Sequence, residues 1–180
     1  MTSPRFALAA LAFATMAAMA PAHAVIYTYT GDTTGGPTFN RAFEDFSGLS
    51  GIGNSNPYHT FEFTVSVAGP YTFVTTGPTF DTFIFLYSPS FNPASATSNG
   101  VNANDDLLPG FTTSGFAQTL STGVAYTLVT TGFAPGDFGA FSTTIGGPGV
   151  VTVVPEPATY ALFAFGLAGV GMWARRRLSA

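Results

Sequence analysis

The sequence between Val25 and Val154 predicts an all-β fold, an antiparallel β-sandwich of the jelly-roll kind. Three observations lead to this fold class. Apolar and polar residues alternate with period two, Gly and Pro turns recur at short intervals, and no helical periodicity of any length is present. About 130 residues is an ordinary size for one domain.

The first clear strand runs from Phe61 to Val67, where alternate residues are apolar. Ala68-Gly69-Pro70 ends it, and Tyr71–Thr76 follows as the predicted return strand of a hairpin. Phe80–Tyr87 is apolar on both faces, as expected for a strand in the middle of a packed sheet.

The second half of the segment predicts a long loop and four further strands. The loop spans residues 88–110, and the strands lie near residues 115–120, 125–131, 138–145 and 149–153. Tyr71-Thr-Phe-Val-Thr-Thr-Gly77 recurs as Tyr126-Thr-Leu-Val-Thr-Thr-Gly132, which indicates two equivalent strands of the sandwich.

Residues 1–24 have the features of an N-terminal signal peptide. Arg5 precedes an apolar stretch from Phe6 to Ala20, and the small residues Ala22 and Ala24 flank the expected cleavage site. The predicted mature chain begins at Val25 and is exported by the secretory translocon. An uncleaved anchor is the alternative.

Residues 155–180 have three parts in order. Pro155, Glu156 and Pro157 come first, an apolar stretch over residues 158–174 follows, and Arg175, Arg176 and Arg177 lie close to the end. As a helix the stretch would be about 25 Å long, which predicts a short single transmembrane helix. The arginines place this end in the cytoplasm and the domain outside.

This order of Pro-Glu-Pro, apolar helix and arginine cluster resembles the PEP-CTERM sorting signal of Gram-negative bacteria. The resemblance implies processing by an exosortase-like enzyme, near Pro155, Glu156 and Pro157, in an organism that makes exopolysaccharide. The alternative is a simple tail anchor with a proline-rich stalk.

Residues 58–133 resemble the bacterial pre-peptidase C-terminal (PPC) domain, a small β-sandwich of secreted proteins. The resemblance rests on an ordered set of segments: Phe61-Glu-Phe-Thr-Val65, Gly69-Pro-Tyr71, Phe80-Asp-Thr-Phe-Ile-Phe-Leu-Tyr87, Asn104-Asp-Asp106 and Gly123-Val-Ala-Tyr-Thr-Leu-Val129. Residues 25–57 lie outside it, and their role stays open.

Charge and cysteine content exclude several classes of function. The segment from Val25 to Val154 contains one arginine, no lysine and eight carboxylates, a net charge of −7. Nucleic acid is therefore excluded as a partner, because phosphate binding depends on basic residues. The chain has no cysteine, so disulfides, thiolate nucleophiles and cysteine metal ligands are absent.

Catalysis is not expected, and no catalytic residue is assigned. His59 is the single histidine of the segment, and we expect it just before a strand, in solvent. No serine lies in a Gly-x-Ser-x-Gly elbow, so a cryptic hydrolase is the least favoured alternative. Neither Glu44 with Asp45 nor Asp105 with Asp106 automatically forms a carboxylate pair, because neighbours on a strand face opposite ways.

The one candidate cofactor site is a calcium site. Asn102, Asn104, Asp105 and Asp106 offer oxygen ligands, and Asp81 approaches them if the resemblance to the PPC domain holds. The spacing is not that of an EF-hand. A turn stabilised by Asn and Asp side chains without metal is the alternative.

Five phenylalanines near turns are candidates for stacking on sugars: Phe91, Phe111, Phe116, Phe133 and Phe138. Burial in the core is their alternative. Together, the sequence predicts a non-enzymatic exported protein, anchored in the inner membrane on its periplasmic side before processing and then found at the cell surface or in an extracellular polysaccharide matrix. A calcium-assisted glycan- or protein-binding module is the second hypothesis.

Overall fold

Two antiparallel sheets packed face to face form the protein in the computed structural model, which describes residues 24–107 and 110–155. The ten strands are β1 (Val25–Asp32), β2 (Thr38–Phe39), β3 (Asn56–Val65), β4 (Gly69–Thr76), β5 (Thr82–Tyr87), β6 (Gly100–Asn104), β7 (Thr113–Leu120), β8 (Tyr126–Gly132), β9 (Ala140–Gly147) and β10 (Val151–Val153). The prediction of an all-β antiparallel sandwich is confirmed.

One sheet has four strands in the order β1-β9-β4-β7. The other has six, in the order β10-β3-β8-β5-β6, with the short β2 also paired to β3. All pairs are antiparallel. The two strands of the internal echo, β4 and β8, lie in different sheets, and each is an interior strand of its own sheet.

The main core lies between the sheets, and it is rich in aromatic rings. Alternate residues of β3 point into it, as the period-two pattern predicts, and Phe63 is fully buried there against Phe73 of the other sheet. The two echo tyrosines anchor preceding loops: the hydroxyl of Tyr71 donates to the carbonyl of Val67 at 2.8 Å, and the hydroxyl of Tyr126 accepts from the amide of Ser121 at 3.0 Å.

A second apolar layer covers the outer face of the six-stranded sheet. Ile84 and Leu86 of β5 point into the main core, whereas Phe83, Phe85 and Tyr87 point into this second layer, so β5 is buried on both faces as predicted. Residues from the segment 25–57 close the layer, among them Phe39, Ala42 and Phe46. This segment therefore supplies β1, β2 and the cover of β5.

Two expectations about connections are wrong. β3 and β4 do not form a hairpin, because the chain crosses from one sheet to the other between them. Both strands have one apolar face, and the crossing packs these faces against each other in the core. The predicted loop over residues 88–110 contains β6 and a short 3-10 turn at Pro93–Ser95. The mixed polar sequence of β6 lacks the apolar alternation that identifies a strand.

Candidate metal centre and sorting tail

Three carboxylates meet at one end of the six-stranded sheet. Asp81 directly precedes β5, and Asp105 and Asp106 directly follow β6. Because β5 and β6 are antiparallel neighbours, with Ile84 opposite Asn104, the start of one strand lies beside the end of the other. Carboxylate oxygens of the three residues all lie within 4.8 Å of one another. We call these three residues the acidic cluster.

The backbone fixes Asp81 at this place. The amide of Thr82 donates to the carbonyl of Phe111 at 2.9 Å, and the carbonyl of Asp81 accepts from the amide of Phe133 at 3.1 Å. Asp105 and Asp106 lie beyond the last residue of β6, so the rule that strand neighbours face opposite ways does not apply to them. The expectation that they do not automatically share a site was therefore based on the wrong local structure.

Ionisation of the carboxylates in the acidic cluster is unfavourable. Burial, followed by the charges of neighbouring carboxylates, raises the pKa of Asp81 to about 6 and that of Asp105 to about 7. In both residues the Oδ1 atom is buried and has no hydrogen-bond partner. Unsatisfied carboxylate oxygens that face one another are the groups to which a divalent cation binds.

Arg41 is the nearest source of positive charge, and it is only 3% exposed. Its guanidinium lies between the rings of Phe83 and Phe133, 4.6 and 4.8 Å from their centroids. Nε donates to the carbonyl of Phe133 at 2.9 Å, and Nη1 donates to that of Ala42 at 3.2 Å. Burial lowers the pKa of Arg41, while the charges of Asp105 and Asp81 oppose this shift.

One arginine cannot neutralise three ionised carboxylates. With Arg41 counted, the ionised acidic cluster retains a charge of about −2, which one calcium ion would balance. Sequence reasoning assigned no role to Arg41. The sequence shows only that Arg41 is the single basic residue between Val25 and Val154 among eight acids, which does not place it beside the cluster.

The two predicted asparagine ligands both use their side-chain oxygens to accept hydrogen bonds from backbone amides. Asn102 donates through Nδ2 to the side chain of Gln118 at 3.1 Å, away from the cluster. Asn104 accepts from the amide of Gly115 at 2.8 Å with its Oδ1. Its Nδ2 donates to Oε1 of Glu44 at 3.3 Å, which brings a fourth carboxylate to the edge of the cluster. The structure thus brings together Asp81, Asp105 and Asp106 from the predicted set.

A surface depression of about 480 Å³ adjoins the acidic cluster. Asp81, Asp137, Phe80 and Phe111 are among the residues that line it. The Phe111 side chain is 66% exposed, which is unusual for an aromatic ring in a protein with this much core. A cation at the cluster and an exposed ring beside it would form two halves of one binding surface.

The other candidate aromatic residues divide between core and surface. Phe91 packs among Phe39, Tyr58 and Tyr87 in the second apolar layer. Phe116 packs against Phe73 in the main core, and Phe133 lies under Arg41. Phe138 is 44% exposed, so it and Phe111 are the two of the five with rings at the surface.

His59 is not a solvated residue before a strand, as the sequence had suggested. It lies within β3 and is half-buried, with its ring 5.5 Å from that of Phe141 and 6.4 Å from that of Tyr29. His59 therefore packs against two rings of the four-stranded sheet, Tyr29 of β1 and Phe141 of β9, on the inner side of the sandwich.

The last strand leads directly into the C-terminal segment. β10 pairs with β3, and the amide of Val154 donates to the carbonyl of Glu62 at 2.9 Å. Pro155 is the last described residue. Several sequence predictions concern positions outside the described residues. They are the processing residues Glu156 and Pro157, the span over residues 158–174, the cluster of Arg175, Arg176 and Arg177, and the signal cleavage residue Ala22.

The helical content of the described segments is small. None of the helices found in residues 24–107 and 110–155 has the length and apolar character needed to cross a membrane.

Comparison with known proteins identifies the C-terminal segment. Residues 153–177 match the PEP-CTERM protein-sorting motif. No curated protein matches the chain. Among solved structures, it is similar to PliG of Aeromonas hydrophila, a periplasmic inhibitor of g-type lysozyme, with 13% identity, 73% of this chain and 89% of that chain covered, and a TM-score of 0.37. So distant a likeness carries no functional argument.

The motif match confirms the predicted PEP-CTERM sorting signal and the coarse part of the functional prediction. A PEP-CTERM tail indicates an exported protein that an exosortase processes. The match covers the tail alone, and the resemblance of residues 58–133 to the PPC domain stays a prediction.

Proposed function

We propose that this exported chain with a PEP-CTERM tail is a non-enzymatic β-sandwich that is held in the inner membrane by residues 158–174, cleaved near Pro155, and then displayed at the cell surface or in an extracellular polysaccharide matrix. The observation that carries the proposal is the direct junction between fold and tail. The motif begins at Val153, the last residue of β10. Cleavage after Val154 would leave every strand of the sandwich in place.

The chemistry of the domain supports a role without catalysis. From Val25 to Val154 the chain has neither lysine nor cysteine, and its one histidine packs against the aromatic rings of Tyr29 and Phe141. A nucleophile, a base and an orienting group are what a hydrolase of this kind would need. The acidic, hydroxyl-rich surface suits a neutral hydrated matrix better than it suits an anionic one.

The test compares two hosts, one with and one without an exosortase, each secreting the wild type and a variant in which Pro155, Glu156 and Pro157 are all alanine. We expect the wild type to appear outside the cell only in the first host, with an intact mass that ends near Pro155. The triple variant should stay in the inner membrane, with the intact mass of the protein that still carries its tail. Pro135→Ala, an exposed proline outside the tail, is the control that should be processed normally.

Two results would contradict the proposal. One is an extracellular form that keeps residues 158–177; the other is membrane retention of the wild type in both hosts. Sedimentation of the processed form with the cell's own extracellular polysaccharide tests the matrix association separately. A cleaved protein that stays in the supernatant would contradict the matrix association and leave the proposed processing unaffected.

A second candidate function has its own observation in its favour. The acidic cluster, with buried and unpartnered Oδ1 atoms on Asp81 and Asp105, adjoins a depression that presents the exposed ring of Phe111. We propose that calcium bound by the three carboxylates assists a glycan or protein ligand that contacts Phe111. Calcium takes six to eight oxygen ligands, so three carboxylates leave positions for water and for ligand oxygens.

Binding to a glycan array with calcium and with chelator tests this candidate. Binding should require calcium, and Phe111→Ala should weaken it by about fivefold, since a stacked ring contributes on the order of 1 kcal/mol. Val150→Ala, which also removes exposed apolar atoms but lies away from the depression, is the control. Binding that is equal in chelator and calcium would exclude the assisted mechanism.

A further inference from the structure

The outer edge of β1 is open in a way that the other sheet edges are not. β1 pairs with β9 over all eight of its residues, from Val25 opposite Gly147 to Asp32 opposite Ala140, without a break in register. In the described part of the chain, no strand pairs with its other side. A long, regular, unpaired edge presents backbone donors and acceptors to any other strand.

The far edge of the same sheet, β7, is covered by side chains and by the loop after β6. The amide of Gly115 donates to Oδ1 of Asn104 at 2.8 Å. Nδ2 of Asn102 donates to the carbonyl of Ala117 at 3.3 Å, and the amide of Leu107 donates to the carbonyl of Thr113 at 2.8 Å. These bonds occupy the edge groups of β7 that a second strand would need.

The edges of the six-stranded sheet are short or interrupted. β10 has three residues and is followed closely by Pro155, which lacks the amide donor of a ladder. β6 has five residues, its register with β5 shifts between Leu86 and Tyr87, and two carboxylates follow it. Short length, irregular register and charge are the means by which natural proteins prevent edge pairing.

β1 has none of these protections. It contains no lysine, arginine or proline, and its one charge, Asp32, is its last residue. The amide of Thr33 donates to the carbonyl of Gly139, so the alternation of a ladder directs the backbone groups of the odd-numbered residues to β9. The N–H and C=O groups of Ile26, Thr28 and Thr30 therefore face the open side.

We propose that this edge pairs with β1 of a second copy of the chain, antiparallel about a two-fold axis at Thr28. Thr28 then lies opposite Thr28 of the partner subunit, and Ile26 opposite the partner's Thr30. Each of these is a hydrogen-bonded pair that uses the free backbone groups. The two four-stranded sheets become one continuous sheet of eight strands.

The side chains favour a copy of this chain over an unrelated strand. In this register Tyr29 lies opposite the partner's Tyr27, and the reverse pair forms as well. Cross-strand aromatic pairs are among the most stabilising in sheets. Both tyrosines are half-buried at this edge, where their rings pack on Phe61. The two Asp32 carboxylates lie about 27 Å apart, eight residues at about 3.4 Å each, so they do not repel each other appreciably.

The experiment uses the full-length chain in detergent and the absence of native cysteine. Thr28→Cys places a thiol on the axis, where the distance between opposite Cα atoms, about 5.5 Å, suits a disulfide. We expect wild-type dimers in sedimentation and rapid disulfide-linked dimers of Thr28→Cys under mild oxidation. Thr72→Cys, an exposed threonine on the interior strand β4, is the matched control and should cross-link slowly.

A second pair of variants separates assembly from folding. Thr28→Lys puts two like charges opposite each other and should give monomers whose melting temperature equals that of the wild type at dilutions where the wild type is also monomeric, whereas Thr72→Lys should leave the dimer intact. A wild type that stays monomeric at the highest concentration reached, with equal cross-linking of both cysteine variants, would overturn the proposal. Dimers that persist in Thr28→Lys would locate the interface elsewhere and overturn it as well. Cross-linking of Thr28→Cys to a different exported protein would assign the edge to another occupant.

Discussion

Replacing Asp105 by asparagine is expected to change stability in opposite directions with and without calcium. In chelator the ionised Asp105 carboxylate is unfavourable, because it is partly buried and faces Asp81, Asp106 and Glu44, with Arg41 as the one opposing charge within the described ranges. Asparagine removes that repulsion and should stabilise the metal-free protein. In calcium the same change removes a ligand, so the metal should stabilise the variant far less than the wild type.

The pKa of Asp105 sets the size and the pH dependence of the effect. A rise from 3.8 to about 7 is roughly three pKa units, each worth about 1.4 kcal/mol, which gives a ceiling of about 4 kcal/mol. Solvent screening of a carboxylate that is not fully buried reduces this, and we expect about 1–2 kcal/mol. Below pH 3.8 the group is protonated in both states and contributes nothing. As the pH rises to about 7, the unfolded state ionises first and stability falls, so the gain in the variant grows over this window.

Thermal melts in chelator and in calcium, at about pH 4 and about pH 8, measure both effects. For a domain of this size, 1–2 kcal/mol corresponds to a rise in Tm of about 3–8 °C at the higher pH. Glu62→Gln, which removes one negative charge outside the acidic cluster, is the control for net charge. A variant that is less stable than the wild type in chelator at about pH 8 would refute the electrostatic reasoning. An undiminished response to calcium in the variant would refute the assignment of Asp105 as a ligand.

Two further predictions concern the packing around the cluster and the core. Arg41→Met should destabilise the domain by about 2–4 kcal/mol in denaturant unfolding, because two carbonyl acceptors lose their donor and the cluster loses the counter-charge of Arg41. Arg41→Lys should recover part of this loss. An unaltered stability of Arg41→Met would show that the buried charge is not needed. Gly147→Ala should cost about 1–3 kcal/mol, because the new methyl group would meet the buried ring of Tyr71, whereas Gly136→Ala, where nothing lies near, should be nearly neutral. Equal unfolding midpoints for these two glycine variants would contradict this account of the core.

Local sequence pattern predicted most of the strands. Alternation of apolar and polar residues predicted β3 and β4, and a continuous apolar run predicted β5, because burial of a strand on one face or on both determines which of its residues are apolar. The hydrophobic pattern does not determine which strands pair. A turn after Val65 could lead to a neighbour in the same sheet or to the opposite sheet, and both choices bury Phe63 and Phe73.

The acidic cluster was partly predictable for a similar reason. Asp81 was placed beside the Asn-Asp-Asp segment through resemblance, and the antiparallel pairing of β5 with β6 brings them together. The direction of individual side chains was not predictable: Asn104 caps an amide of β7 because that strand happens to pass within reach. The role of Arg41 depends on a loop that folds over the six-stranded sheet, and a single charged residue carries no periodicity that would reveal this.

Under the C-terminal anchoring proposed above, the three-residue strand β10 would have a mechanical consequence. A pull on the tail would act first on the few hydrogen bonds that join β3 to β10 and to the amide of Val154. Peeling of residues 151–155 would lengthen the tether by about 17 Å, at about 3.4 Å per residue. Under the proposed anchoring, tension would extend the segment before Glu156 toward the processing enzyme, and the buried side chain of Val151 would return to the core when the tension ends.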